Sequence, residues 1–173
     1  VVIKSLRDVA VDYAPWIPYT QALQDGRLLT AGNGRNVTPN VFLVWYNDQG
    51  DTILYREYTN PGFFIKSIGL ATREEGGHEA HYLLTEEVED SSSNDSDAVL
   101  RKISHDGALL WKKRYFSNDL YERPKSIALK DDGSCIIGTW RTNRGGGSQP
   151  AHLIFARDYI IGVDSSGGLL WEY

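Results

Sequence analysis

Three copies of one hairpin pattern constrain the fold of this chain more than any other feature. Each copy has a β-rich segment, a polar turn that ends in glycine, and a short apolar segment after it. The turn glycines are Gly50, Gly107 and Gly167, and they recur at nearly equal spacing. Glycine at such a position accepts a positive φ, so each copy predicts a β-hairpin.

A second hairpin precedes each of these three. Two of them turn at Gly26 and Gly133, and in the middle copy the turn is expected to be expanded over 71–77. Each repeat therefore contains four short strands, which is typical of β-propeller blades. We predict strands near 21–24, 27–31, 41–46, 52–57, 66–70, 81–85, 98–103, 109–114, 126–129, 134–139, 158–163 and 169–172.

The last repeat carries the most distinctive residues. It reads Ser-Ile-Ala-Leu-Lys-Asp-Asp-Gly over 126–133, then Ile-Ile-Gly over 136–138, and Asp-Ser-Ser-Gly-Gly-Leu-Leu-Trp over 164–171. This pattern resembles the blade repeats of secreted bacterial and archaeal β-propellers, which are loosely related to quinoprotein-like propellers. The resemblance covers 20–173 and implies the fold, but it says little about function because such blades host unrelated activities.

The sequence thus predicts an all-β chain of three four-stranded antiparallel propeller-type blades plus an extra N-terminal strand. The alternative is a β-trefoil, because three copies is the number that a trefoil uses. We expect a single domain over 1–173, divided into an N-terminal strand and link and three blades: 1–19, 20–58, 59–115 and 116–173.

The extra N-terminal strand, expected around Val9–Tyr13, has no blade of its own within the chain. Known propellers use about four to eight blades, so three cannot close a ring. Open blade faces and unpaired edges are templates for pairing with another chain. We therefore expect self-association into a homo-oligomer or filament, in which Val9–Tyr13 is lent to a neighbouring copy.

Charge and hydropathy exclude two classes of partner. The chain has 18 Lys and Arg against 23 Asp and Glu, a net charge of −5, whereas a nucleic-acid partner requires a basic face. No apolar run approaches the roughly 20 residues that a membrane helix needs. The single cysteine, Cys135, lies in an apolar stretch and is expected to be a buried, inert thiol.

Two glycosylation triplets lie in polar stretches between predicted strands. They begin at Asn36 and Asn94, and both have a non-proline middle residue. Because both connections fall on the same rim of the predicted blades, we expect glycans there and an extracellular or cell-surface location.

The connection that contains Asn94 is also acidic. Its carboxylates suggest a Ca²⁺ site formed by Glu89, Asp90, Asp95 and Asp97. The regular Asp-x-Asp-x-Asp-Gly spacing is absent, so a solvated loop is the favoured interpretation. No other cofactor is expected.

The sequence predicts no catalytic residue. The segment His78-Glu79-Ala80-His81 is one residue short of a metalloprotease helix motif. Aromatic residues cluster in the links between successive repeats, where they either form a stacking platform for carbohydrate or pack as core. These binding-rim candidates are Trp16, Tyr19, Phe63, Phe64, Phe116 and Tyr121.

These features favour a non-enzymatic extracellular module, structural or adhesive, that acts by self-association or ligand binding. The alternative is a fragment of a larger propeller enzyme, of quinoprotein or hydrolase type, whose active site needs further blades. In either case, positions aligned across the repeats are expected to be buried with Cys135: Leu110, Trp111, Ile127, Ile136, Ile161 and Leu170.

Overall fold

The computed structural model describes residues 16–34, 40–59, 64–88, 96–115, 120–143 and 156–173, and every element in these ranges is a β-strand. The strands are β1 (Trp16–Ala22), β2 (Leu28–Gly34), β3 (Asn40–Tyr46), β4 (Thr52–Thr59), β5 (Phe64–Glu75), β6 (His78–Val88), β7 (Asp97–Ser104), β8 (Leu109–Tyr115), β9 (Leu120–Leu129), β10 (Cys135–Asn143), β11 (Ala156–Val163) and β12 (Leu169–Glu172). The described residues contain no helix that could span a membrane.

The twelve strands form three separate sheets. Each sheet is an antiparallel meander of four consecutive strands, in the orders β1-β2-β3-β4, β5-β6-β7-β8 and β9-β10-β11-β12. The prediction of an all-β chain with three four-stranded antiparallel sheets is confirmed. Three separate sheets do not fit the alternative of a β-trefoil. The expected strand at Val9–Tyr13 lies outside the described residues.

The turn between β11 and β12 shows why these hairpins form. The carboxylate of Asp164 accepts hydrogen bonds from the backbone amides of Ser166 and Gly168, both at 2.8 Å. Gly167 lies between these two residues and has a φ of 84°, a left-handed conformation that costs glycine little. A short polar side chain and a glycine together close the turn.

The expected expansion of the turn over 71–77 is wrong. Strand β5 continues to Glu75 and pairs with β6 as far as His78, so only Gly76 and Gly77 form the turn. The polar residues that suggested a loop instead make cross-strand contacts. The hydroxyl of Tyr82 donates to Glu75 Oε1 at 2.6 Å, and Lys102 Nζ lies 2.5 Å from Glu75 Oε2.

The second sheet lies between the other two and is covered on both faces. Alternate side chains of β6 and β7 point to opposite sides, which explains why both strands are buried along most of their length. One core lies between the first and second sheets and includes Leu29, Ala31, Val41, Leu43, Trp45, Ile65, Leu83 and Ile103. The other lies between the second and third sheets and includes Ile68, Tyr82, Leu84, Leu100, Cys135, Ile137, Ile161 and Val163.

Two of the residues expected in the core are in fact exposed. Cys135 and Ile161 are buried, and Trp111, Ile127 and Ile136 are partly buried. Leu110 and Leu170, however, are 55% and 56% exposed. Both lie on the outermost strand of their sheet, and β8 turns Trp111, not Leu110, toward the third sheet.

Candidate functional site

Successive sheets are joined by a repeated contact, here called the tyrosine clamp. Tyr58, near the end of β4, donates a 2.9 Å hydrogen bond to the carbonyl oxygen of Gly107 in the second sheet. Tyr115, at the end of β8, donates a 3.1 Å hydrogen bond to the carbonyl oxygen of Gly167 in the third. Burial raises the pKa of Tyr115 above its usual value, so the hydroxyl keeps its proton. Each outermost strand thus holds the turn of the next sheet.

Long side chains pack over the same turn glycines. A Cβ placed on Gly107 would lie 2.6 Å from Cγ of Arg56, and one on Gly167 would lie 2.6 Å from Cγ of Lys113. Cζ3 of Trp111 is also only 3.2 Å from the Cβ position of Gly167. The space above each glycine is therefore filled by the preceding sheet.

The third sheet ends without such a neighbour among the described residues. Its outer surface presents apolar and aromatic side chains, and four of them are here called the open face: Ile136, Ile160, Trp171 and Tyr173. Trp171 lies over Gly162 of its own sheet and meets Tyr173 edge to face, with ring centroids 5.9 Å apart. It is 39% exposed. An exposed apolar surface of this kind is typical of an interaction site.

The outer surface of the first sheet is different. Phe42 and Val44, in the middle of β3, are only 1% and 0% exposed, and Phe42 stacks on Tyr55 with ring centroids 5.8 Å apart. The two end sheets are therefore not equivalent, since the centre of the first is covered and that of the third is open.

A buried histidine lies between the first and second sheets. Trp45 Nε1 donates to Nε2 of His81 at 3.3 Å, and Nδ1 of His81 lies 2.9 Å from the hydroxyl oxygen of Thr72. Burial lowers the pKa of His81 to about 4, with a further contribution from Arg27. The ring is therefore neutral at pH 7 and carries its proton on Nδ1. His78, by contrast, is exposed and stacks on His105.

The same interface contains a buried charge cluster. The side chains of Glu87 and Arg101 are 0% and 1% exposed, and Arg101 Nη1 lies 2.5 Å from Glu87 Oε1. Lys112 Nζ lies 2.9 Å from the other carboxylate oxygen. Burial alone would raise the pKa of Glu87, but the charges of Arg101 and Lys112 outweigh it and hold the pKa below its usual range. The buried charges of Glu87 and Arg101 compensate each other, and the additional cation, Lys112, is 33% exposed; this arrangement suits a structural role.

Most residues of the sites expected from sequence cannot be compared with the structure. Asn36, Asn94, Glu89, Asp90, Asp95, Phe63 and Phe116 lie outside the described residues. Trp16, Phe64 and Tyr121 lie on β1, β5 and β9. Tyr19 packs against the core between the first and second sheets, and Asp97 pairs with Arg114 at 2.8 Å. The glycan, Ca²⁺ and carbohydrate sites therefore stay predictions.

The part of the chain that the structure describes contains no group of three His, Cys, Asp or Glu residues that could hold a metal ion. Sequence reasoning did not identify the tyrosine clamp. The available signal was that Tyr58 and Tyr115 follow Gly50 and Gly107 at the same distance.

Comparison with known proteins defines the fold. No family model matches the chain, and no curated protein matches it. Among solved structures, a tryptophan-to-alanine mutant of Synechocystis apocarotenoid oxygenase is similar with a TM-score of 0.55 and 13% identity over 98% of this chain and 41% of that one. A chimera of apocarotenoid oxygenase and RPE65 has a TM-score of 0.52 and 16% identity over 92% and 37% of the two chains.

These similarities support a β-propeller type of architecture, in which the three sheets are blades. The identity is too low to carry an activity across. The chain spans about two fifths of the length of the structures that it matches.

Proposed function

We propose that this protein is a three-blade arc of a β-propeller that acts as a binding module once a further blade covers the open face. The exposure of Trp171 carries the proposal. Trp111 occupies the corresponding position in the second sheet, and there the third sheet packs over it. Propellers generally contain about four to eight blades, so an arc of three requires more.

The further blade is best supplied by a longer gene product. Identical copies that associate head to tail would need the outer face of the first sheet, but Phe42 and Val44 are already buried there. The two-fifths coverage of the structural neighbours also fits an arc of a longer propeller. Self-association is the alternative, in which a second copy covers the open face and the strand expected at Val9–Tyr13, outside the described ranges, is lent between copies.

Thiol labelling tests this proposal. In a Cys135→Ser background, a cysteine is introduced on the open face by Ile160→Cys, and separately away from it by Leu110→Cys as a matched control. Both positions are exposed, so both thiols should be labelled rapidly in the dilute 173-residue chain. In the full-length gene product, the thiol from Ile160→Cys should be protected and the control should remain reactive.

The two sources of a blade give different results. Protection that appears only in the longer product supports a blade on the same chain, whereas protection that rises with the concentration of the short chain identifies a second copy. Equal rapid labelling of both positions in the longer product and at high concentration of the short chain would refute the proposal.

A second candidate function is that the complete protein is a propeller enzyme. The observation that favours it is that the structural neighbours are apocarotenoid oxygenases and a chimera of one. The test is to incubate the full-length gene product with an apocarotenoid and follow the loss of its absorbance, with the 173-residue chain as the comparison. No absorbance change with either protein would remove this candidate for that substrate class.

An extracellular location belongs to the first candidate. Its support is the pair of triplets at Asn36 and Asn94. The intact mass of the protein from its natural source, compared with the mass of the bare sequence, tests for glycans at these residues.

A further inference from the structure

A cleft separates the outer strands of the second and third sheets. It has a volume of about 230 Å³ and opens to solvent between β8 and β12. Lys113 and Arg141 contribute cationic groups, Glu172 contributes a carboxylate, and Ile161 and Leu169 contribute apolar surface. The cleft is separate from the open face, because Ile161 and Leu169 belong to the side of the third sheet that faces the second.

Arg141 is held rigidly at the floor of this cleft. Arg141 is only 8% exposed. Its Nε lies 2.7 Å from Glu122 Oε1 on the neighbouring strand, and its guanidinium lies 3.7 Å from the centre of the Tyr159 ring. One edge and one face of the guanidinium are thereby fixed, so little rotamer freedom is lost when its other edge binds an anion.

The remaining edge already binds a carboxylate. Arg141 Nη2 donates to Glu172 Oε2 at 3.2 Å. Glu172 lies on the outermost strand, and its side chain is about half exposed, at 47%. Because about half of the Glu172 side chain is exposed, its carboxylate can leave Arg141 and be replaced by one from solution.

The other charges limit what the cleft can hold. Arg114 lines the cleft, but its guanidinium is paired with Asp97 at 2.8 Å and lies 3.9 Å from Glu87, on the side of β8 that faces away from the third sheet. Lys113 packs its stem against Gly167, and its side chain is exposed. Because Glu122 and Glu172 already compensate the positive charge of Arg141, a singly charged anion suits the cleft better than a phosphate dianion.

We propose that this cleft binds a small monocarboxylate with a short apolar chain. Its carboxylate replaces Glu172 on Arg141, and its apolar chain lies against Leu169 and Ile161. Glu172 is then an intramolecular competitor that keeps the affinity of the unmodified chain low. This site is independent of the further blade proposed above.

Isothermal titration calorimetry with sodium butyrate tests this site, with sodium phosphate as the comparison anion. Glu172→Gln removes the competitor and should tighten butyrate binding by about tenfold, since a tethered group competes at a high effective concentration. Glu57→Gln, which changes an exposed glutamate of the first sheet, is the matched control and should leave the affinity unchanged. Phosphate should bind more weakly than butyrate to each variant.

A second pair of measurements examines the apolar part of the site. Leu169 is exposed, so Leu169→Ser should fold, and it should weaken binding of butyrate while leaving that of acetate unchanged. Amide chemical-shift changes on titration should centre on Ile161 and Gly167. Equal affinity of the Glu172→Gln and Glu57→Gln variants for butyrate, or shift changes centred on the open face, would overturn the proposal.

Discussion

The outer strands of the second and third sheets carry the same Leu-Leu-Trp motif in two different environments. Trp111 lies between the Tyr82 ring, with centroids 6.1 Å apart, and the Gly167 turn of the next sheet. Trp171 has no such turn above it among the described residues and folds back over Gly162 of its own sheet. In the second sheet the motif therefore packs against the following blade, and its exposure on the third sheet identifies the side of the arc that has no following sheet among the described residues.

The largest difference is expected between a buried charge at the interface of the first and second sheets and a half-exposed charge in the cleft between the second and third sheets. Glu87→Gln leaves Arg101 buried without its anion, which should lower the free energy of unfolding by about 3–5 kcal/mol. Glu172→Gln, on an exposed outer strand, should change it little. Urea unfolding of both variants measures this, and equal losses would contradict the distinction between the buried and the half-exposed charge.

The tryptophans test the comparison directly. Trp111→Ala should lower the free energy of unfolding by about 3 kcal/mol, because it removes a ring packed between two sheets. Trp171→Ala should cost under about 1 kcal/mol, as is usual for exposed side chains. In a form where a further blade covers the open face, the cost of Trp171→Ala should rise toward that of Trp111→Ala.

Mild acid should weaken the interface between the first and second sheets and leave the interface between the second and third sheets unchanged. Since the folded pKa of His81 is about 4 against 6.5 for the free side chain, the unfolded chain binds more protons between these values. Stability should then fall by about 3 kcal/mol as the pH drops from 6.5 to 4. Cys135, at the other interface, has its pKa raised by burial to about 11 and does not titrate in this range.

The His81 effect can be isolated with a His81→Gln variant. Carboxylates with lowered pKa values, such as Glu87, lose their contribution at still lower pH, so the interval from 6.5 to about 4.5 reports chiefly on histidine. Unfolding experiments across this interval should show a steeper pH dependence for the parent chain than for the variant. Parallel curves would exclude His81 as the source.

The smallest expected effect concerns the tyrosine clamp. Tyr58→Phe and Tyr115→Phe each remove one hydrogen bond to a turn carbonyl and should cost about 1 kcal/mol. Tyr173→Phe, on the open face, should be neutral. Amide hydrogen exchange in the turns at Gly107 and Gly167 should increase in the two clamp variants, and unchanged exchange would show that the turns do not depend on the clamp.

Strand order and most strand positions could be predicted because they depend on local signals. Alternating apolar residues and glycine turns mark each hairpin within a few residues of sequence. The strand β9 was expected to begin near 126, but it begins at Leu120. The charged segment with Pro124 reads as a connection, and its strand character depends on pairing with β10.

What could not be predicted depends on contacts between sheets. The sequences of β8 and β12 predict that Leu110 and Leu170 are buried. Which side of each strand is covered, however, depends on the position of the neighbouring sheet. Arg141 and Glu122 come from different strands, and no spacing in the sequence connects them. The cleft between the sheets was missed for the same reason.

The turn glycines differ in how freely they can vary. Gly26, with a φ of +86°, has nothing within 4 Å of its Cβ position, whereas Gly167, with a φ of +84°, is crowded by Lys113 and Trp111. Asparagine or aspartate tolerates a positive φ and can replace Gly26, but any side chain at Gly167 meets the preceding blade. Gly133, in the first turn of the third sheet, also meets the preceding sheet, since its Cβ position lies 2.9 Å from Nη1 of Arg73. As homologous sequences diverge, Gly26 will therefore change sooner than Gly107 or Gly167, and a search profile for further blades gains most from weighting the glycine that precedes the outermost strand.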